Sequence, residues 1–302
     1  MNQSFDVVIP VAAKDAGFVG RVVHRALTLL EADTVYLITK GSYASKIRSL
    51  LKGDADRCVI LDENTMVPGL SFDSVRESLA GIRPGLSTGW YFQQFLKLGF
   101  ATTPYARDYY LTWDADTLPL RKITFFREEH PLFTRKDEYN APYFSTIENL
   151  LGLKKQNDFS FIAEHMMFST NLVRELLQTI ESAALEGGSW FEKIIKACDF
   201  SSPYAFSEFE TYGTYVTQKY PDLYETRRLS SFRCGGFIQG RNISESKLET
   251  ISFDTDIMSF EFGHEPPFPY NVFSRLQLLF FVTVFFRKYS FKQIIQRVFC
   301  AR

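Results

Sequence analysis

The sequence predicts an α/β fold in which a mixed, mostly parallel sheet is flanked by helices. Three observations predict it. Short apolar runs alternate with amphipathic stretches through the first third of the chain. The aromatic run Tyr109-Tyr110-Leu111-Thr112-Trp113 ends abruptly in Asp114-Ala115-Asp116, as a buried strand does where it meets a site. No internal repeat or low-complexity linker divides the chain. With 302 residues, 45% of them hydrophobic, the chain can bury one large core or two small ones.

The elements follow in order. Asp6-Val7-Val8-Ile9-Pro10-Val11 reads as a buried strand, Val19 to Leu30 as a helix, and Thr34 to Ile38 as a second strand. Ser45 to Leu51 is helical, and Arg57 to Leu61 is a third strand leading into Asp62-Glu63. Such βαβ alternation sets strand C-termini on one edge, where ligands bind. Pro84 to Gly89 is a loop, and Trp90 to Leu98 a helix that presents Gln93, Gln94 and Lys97 beside an aromatic face. The polar stretch 127–160 is expected to hold a loop and edge elements. Phe161 to Ser169 reads as a strand, Asn171 to Ile180 and Trp190 to Ala197 as helices. Ser207-Glu208-Phe209-Glu210 opens a helix that Pro221 ends. Short strands are expected within Cys234 to Gly240 and Ile251 to Phe262.

Composition excludes several functions. A net charge of −1 argues against a nucleic-acid partner. No Gly-x-Gly-x-x-Gly follows the first strand and no Gly-rich Lys-Ser/Thr loop is present, which argues against a dinucleotide site and excludes a P-loop. Cys58, Cys198, Cys234 and Cys300 have neither zinc-type nor disulfide spacing, so a reducing, cytoplasmic setting is expected. No secretory signal pattern is visible at the N-terminus.

The chemistry centres on Asp114 and Asp116. Residues i and i+2 of an extended strand share one face. Two carboxylates there are costly unless a cation neutralises them. Oxygen ligands suit Mg²⁺ or Mn²⁺, which keep coordination positions for substrate phosphates. The pair therefore predicts a metal that holds a diphosphate, against the plainer reading of a strand-end turn. Ser207 with Glu208 and Glu210 is an ordinary capping signature, yet a carboxylate at a helix start also suits a general base. At 3.6 residues per turn Glu208 and Glu210 diverge by about 200°, so both are not expected at one hydroxyl.

Three motifs in this order, Gly-Trp-Tyr-x-Gln-Gln-x-x-Lys (Gly89 to Lys97), Trp-Asp-x-Asp-Thr (Trp113 to Thr117) and Ser-Glu-x-Glu-x-Tyr-Gly (Ser207 to Gly213), resemble those of nucleotide-sugar glycosyltransferases of the GT-A fold. The nearest likeness is to bacterial enzymes of lipopolysaccharide or capsule synthesis. The resemblance covers roughly residues 5–265 and implies a GT-A-like, Rossmann-like domain over 1–265. Its nucleotide-binding part would span about 1–120 and its acceptor part about 121–265. It implies a UDP-sugar donor, a glycan or glycolipid acceptor, Mn²⁺ or Mg²⁺ as cofactor, and hexosyltransferase-like activity. Asp116 would be a metal ligand, Asp114 a ligand or ribose contact, and His264 a third ligand, with His165 the alternative. Pro266-Pro267-Phe268-Pro269 departs from the family's pattern after that histidine. Pro10, Val11, Ala12, Lys14, Lys40, Gln93 and Trp113 would cradle the donor, and Lys97 or Lys40 would meet a phosphate. Glu208 is the first choice of base and Glu210 the second; the stereochemistry stays open. Metal-dependent nucleotidyl or phosphoryl transfer and a non-catalytic carbohydrate-binding protein are the competing readings.

The end of the chain differs in charge. No acid follows Glu265, whereas Arg275, Arg287, Lys288, Lys292, Arg297 and Arg302 do. The apolar run Leu276 to Phe286 is shorter than the roughly 20 residues a bilayer span needs. The sequence thus predicts a helical, basic and aromatic tail over 266–302 that lies on the inner face of an anionic membrane. A helix packed on the core and a homodimer interface are the alternatives.

Overall fold

The computed structural model describes residues 3–264 and, beyond them, 268, 269, 271–273, 276 and 293. Through the first half of the chain run β1 (Asp6–Pro10), α1 (Val19–Leu29), β2 (Val35–Thr39), α2 (Ala44–Leu51), β3 (Cys58–Asp62), α3 (Phe72–Leu79), α4 (Thr88–Gly99), β4 (Tyr109–Trp113), β5 (Thr117–Pro119), β6 (Phe126–Arg127), β7 (His130–Thr134) and α5 (Ala141–Leu151). Then come β8 (His165–Ser169), α6 (Thr170–Ser182), α7 (Trp190–Ala197), α8 (Glu208–Lys219), β9 (Glu225–Arg227), β10 (Ser231–Phe232), α9 (Gly235–Gln239), α10 (Glu245–Ile251) and β11 (Ile257–Ser259).

The central sheet has the order β3-β2-β1-β4-β8. Its first four strands are parallel, and β8 returns antiparallel to β4 with His165 opposite Trp113. The two-residue period of a strand explains the layering. Val8, Ile38 and Tyr110 point into a core covered by α3, α4, α6, α7 and α8. Val7, Ile9, Leu37, Leu111 and Trp113 point into a second core under α1 and α2. Every residue of β1 is buried, as a strand covered on both faces must be. Each fully buried Leu, Val or Phe contributes about 1.5–3 kcal/mol, so the layers are held mainly by this apolar burial. Two small sheets have the orders β10-β11-β5 and β6-β7-β9, and β5 follows β4 directly after Asp114 to Asp116.

Several sequence expectations are corrected. The stretch 127–160 contains the helix α5, whose Pro142 sits in the first turn and whose Gly152 ends it in the left-handed region. Its first residues are Ala-Pro-Tyr-Phe, and the aromatic pair hides the helical period. Within Cys234 to Gly240 the chain forms α9 over Gly235–Gln239, and only Cys234 makes a β-bridge, to Phe260. The strand expected from Phe161 begins at His165, because Phe161 NH is taken by a side chain, the Glu210 carboxylate. Among the described residues no helix is long and apolar enough to cross a membrane. The expected tail helix lies almost wholly outside the described residues.

Candidate active site

Two cavities meet at the C-terminal edge of the parallel strands, and Gln93 lines both. The first, about 440 Å³, runs from Pro10, Val11 and Ala12 past Thr39, Lys40 and Tyr43 to Glu63, Asn64, Phe72 and Phe92. The strand ends place these residues together. Thr39 Oγ1 donates to Val11 O at 3.0 Å, which ties the loops after β1 and β2. Asn64 Oδ1 accepts from Phe72 NH at 2.9 Å, which fixes the far wall. Apolar and aromatic walls with a few placed polar groups, at this size, suit a nucleoside.

The second cavity, about 260 Å³, holds Asp114 and Asp116. Asp114 leaves β4 with its amide bonded to Glu164 O at 3.0 Å, so the sheet edge sets its position. Its Oδ1 accepts from Lys97 Nζ at 2.7 Å. The same ammonium donates to Glu208 Oε1 at 2.7 Å and lies 4.4 Å from the centre of the Phe209 ring. Gln94, with its amide nitrogen toward Glu208, donates to both carboxylate oxygens. Burial works against the Lys97 charge, but Asp114 and Glu208 outweigh it and hold the ammonium above its ordinary range. Burial raises the Glu208 carboxyl, and Lys97 opposes that rise. Asp116 differs. Its carboxyl accepts only a long bond from Thr117 Oγ1 at 3.4 Å and forms no salt bridge with any described residue. Burial first, then the charges of Asp114 and Asp15, push it up to about 7.

The structure separates the residues that the sequence grouped. Pro10, Val11, Ala12, Lys40 and Gln93 line the nucleoside-sized cavity, and Lys14, Gln93, Lys97, Asp114, Asp116 and Glu208 the acidic one. Trp113 lines neither. It is wholly buried, donates from Nε1 to Thr117 O at 2.8 Å and stacks on His165. Its place in the core follows from strand alternation, which sends it to the face opposite Asp114. Lys97 is not free for a phosphate, because two carboxylates hold it. His165 bonds Thr134 Oγ1 at 2.9 Å, and burial keeps its ring far below the ordinary imidazole range, so it is a neutral core residue. His264 stacks on Phe237 and sits 3.8 Å from Glu261. It does not join Asp114 and Asp116: among the described residues no three His, Cys, Asp or Glu side chains are arranged to hold a metal.

Glu210 is also corrected, for it faces away from both cavities. Its Oε2 accepts from Phe161 NH at 2.7 Å, and Lys155 is 3.8 Å from Oε1. The third motif is thus mostly structural. Ser207 caps α8 through Glu210 NH. The hydroxyl of Tyr212 accepts from Ser169 NH. Gly213 makes room for Phe161, since a Cβ there would meet Phe161 Cδ2 at 2.3 Å. Burial lifts the Glu210 carboxyl from 4.5 to about 7. The folded state therefore binds this proton more tightly than the unfolded chain, and stability falls as pH rises from 4.5 through about 7. Glu210→Gln should melt like the wild type near the lower limit and at a higher temperature at about pH 8. Thermal melts across that range check this, and a constant offset would show that Glu210 does not titrate there.

Sequence reasoning missed Trp90, Tyr143, Glu164, Arg233 and Glu261, all of which line the acidic cavity. Arg233 carried no signal. It reaches the cavity from β10's end and is held by Glu138 at 2.7 Å, with Glu164 and Glu261 at 3.7 Å. Glu164 was visible only as the residue before His165, and its pairing with Lys136 at 3.2 Å is a tertiary fact.

The residues present fit a divalent cation. Lys14, Lys97 and Arg233 line the cavity with six carboxylates (Asp15, Asp114, Asp116, Glu164, Glu208 and Glu261), and Arg241 and Lys136 pair Asp15 and Glu164 from outside the lining. Asp116 is left without a counter-ion among them. Mg²⁺ in particular is commonly held by one or two carboxylates with substrate phosphates completing its shell, so a third protein ligand is not required.

The family described as "Family of unknown function (DUF6492)" matches residues 3–232. The chain belongs to that family. The DUF6492 match takes in all three motifs and both cavities as far as Phe232. Curated proteins give no match. Among solved structures, mouse xyloside xylosyltransferase 1 is 10% identical with a TM-score of 0.45, covering 88% of this chain and 100% of that one. The galactosyltransferase LgtC is 10% identical at a TM-score of 0.42, covering 85% and 87%. Core-mannan synthase A from Aspergillus fumigatus, in its Mn/GDP form, is 8% identical at 0.48, covering 72% and 70%. These likenesses are loose, and the functional reading of this DUF6492 member rests on its own residues.

Proposed function

We propose that this chain is a metal-dependent, hexosyltransferase-like glycosyltransferase of GT-A type. It would move a sugar from a nucleotide-sugar, with UDP as the expected nucleotide, to a lipid-linked or cell-surface glycan of the lipopolysaccharide or capsule kind. The observation that carries this reading is the joining, at Gln93, of a nucleoside-sized groove and a cavity in which Asp116 has no salt bridge to any described residue. An unpaired carboxylate repels a diphosphate unless a cation enters with it. Asp114 and Asp116 would hold Mn²⁺ or Mg²⁺. What the cation supplies when bound is Lewis-acid stabilisation of the leaving diphosphate. Residues 1–120 would bind the donor, since the groove is built between Pro10 and Leu96. Residues 121–265 would bind the acceptor.

Glu208 is the base in this reading if the reaction inverts. Lys97 and Gln94 fix its carboxylate at the cavity wall. Each carboxylate oxygen has two lone pairs, so one remains to take the acceptor's proton. Glu208→Gln should lower kcat by about 10²–10⁴-fold with little change in donor affinity. Near-normal kcat would remove Glu208 from the mechanism. The nucleotide itself is tested by thermal shift with UDP, GDP and other diphosphates, with and without Mn²⁺. Stabilisation by about 2.7 kcal/mol is expected at a hundredfold excess over Kd, and only with metal. Melting that no nucleotide moves would sink the reading.

The basic, aromatic tail supports work at the inner face of the cytoplasmic membrane. Each basic residue near an anionic surface adds about 1 kcal/mol, so attachment should be reversible and salt-sensitive. Replacing Arg287, Lys288, Lys292 and Arg297 by Gln in the full chain should reduce pelleting with anionic vesicles at low salt. Pelleting that is unchanged by the four substitutions would rule the tail out as anchor and leave a dimer interface or core packing.

A further inference from the structure

Three aromatic side chains from three separate segments cluster around Trp90, beside the acidic cavity. Trp90 belongs to α4, Tyr143 to α5, and Tyr204 to the segment before α8. Trp90 and Tyr143 line the cavity itself. Their rings are 6.4 Å apart and within 13° of parallel. Tyr204 meets Trp90 edge-on at 5.2 Å and is 49% exposed.

The cluster is held from behind. The Tyr91 hydroxyl donates to Pro203 O and accepts from Ala205 NH, both at 3.1 Å. It thereby grips the two residues that flank Tyr204. Asn140 Nδ2 donates to Tyr204 O at 3.3 Å, and Thr146 Oγ1 to Ala205 O at 2.7 Å. Four such bonds fix the backbone that carries Tyr204, and its ring rests edge-on against Trp90. A pre-set backbone lowers the ordering cost of a ligand.

The chemistry around the rings is mixed. Glu208, Gln94 and Arg233 line the same cavity. Burial first, with Glu208's charge adding, pushes the Tyr143 hydroxyl up to about 12, so it stays a donor at neutral pH. Glu208, Gln94 and Arg233 already hold protein partners, so a ligand here meets polar groups with part of their bonding capacity left, beside partly exposed aromatic surface. A sugar ring answers both. One face of a pyranose carries C–H groups whose slight positive charge suits the negative face of an aromatic ring. Its rim carries hydroxyls that suit Glu208, Gln94 and Tyr143.

We infer that Trp90, Tyr143 and Tyr204 form the acceptor subsite and that the acceptor's reacting end is a pyranose, laid on these rings with a hydroxyl toward Glu208. The inference rests on the glycosyltransferase reading and narrows it, for it excludes a protein hydroxyl or a bare lipid phosphate as the group that receives the sugar.

The test uses the full chain on a printed array of hexose, N-acetylhexosamine, deoxyhexose and heptose oligosaccharides, with UDP and Mn²⁺ present. The wild type should bind particular glycans. Trp90→Ala should weaken that binding about tenfold, and Trp90→Phe, which keeps a ring, should weaken it less. Tyr204→Ala alters a half-exposed side chain and provides the same test should Trp90→Ala fail to fold. The UDP and Mn²⁺ thermal shift is measured on every protein. A wild type that binds UDP but no glycan overturns the subsite and leaves the donor reading standing. Equal glycan binding by wild type and both alanine variants also overturns it. Glycan binding that depends on Trp90 and Tyr204 with no response to any nucleotide supports the platform and sinks the donor reading instead.

Discussion

Asp116→Ala should leave a folded protein whose turnover of a nucleotide-sugar falls by about 10³-fold or more, the scale of losing electrostatic stabilisation of a leaving group. Two features of the site make the effect large. Asp116 is the carboxylate without a salt bridge to any described residue, so it is the group whose charge a cation would compensate. Removing it also removes an unfavourable charge from an acid-rich cavity, so the fold should survive and become slightly more stable. Burial and the neighbouring carboxylates raise this group to about 7, which marks the charge as poorly matched in the folded chain alone. The expected pattern is therefore lost activity with an unchanged or raised melting temperature. Activity measured in EDTA should fall in the same way for the wild type. Full turnover in chelator, or by the variant, would end the metal-dependent reading.

Lys97→Met should have the largest effect on stability. The ammonium is buried, and it balances Asp114 and Glu208 at once. Breaking a buried ion pair by removing one partner costs about 3–5 kcal/mol, because a charge stays behind without compensation. In the variant, Glu208 would keep its burial and lose its counter-ion, so its folded-state pKa would rise further. Stability should then be lost as pH rises above the ordinary carboxylate range and be recovered toward acid. The double variant Lys97→Met/Glu208→Gln should restore much of the loss, since the stranded charge is gone. Urea unfolding at about pH 5 and about pH 8 reads both effects. A single variant as stable as the wild type would show that water or another cation serves Lys97's role.

Much of the frame was legible in the residues. Strands such as Asp6–Pro10 and Val35–Thr39 are apolar runs between helices of clear period, and covering both faces of a parallel sheet demands such runs. Asp114 and Asp116 stood out because an aromatic strand ended in charge. The errors share a cause. Trp113, Glu210 and His165 sit inside or beside recognisable motifs, but side-chain direction decides their role, and a motif read as a string does not carry direction. Trp113 points into the core one residue before Asp114 points into the cavity. Glu210 lies two positions after Glu208 on α8 and faces Phe161 instead. Lys97 was expected to meet a phosphate, but its partners follow β4 and open α8, and only the packing of α4 on both brings them within 2.7 Å. Arg233, Tyr143 and Glu164 depend on contacts between distant segments and left no local trace.

The antiparallel return of β8 has a consequence during synthesis on the ribosome. The chain passes β4 at Trp113 and places both aspartates by residue 116, yet the partner of that strand begins only at His165. Until then the aromatic edge Tyr109–Trp113 has unpaired amides and carbonyls, the kind of edge that templates aggregation. At about 5–20 residues per second the gap lasts several seconds. A fragment cut off before β8 would carry that open edge permanently. The first hundred-odd residues hold the groove and the aspartates, but one edge of their sheet is covered only by a strand that the ribosome delivers later.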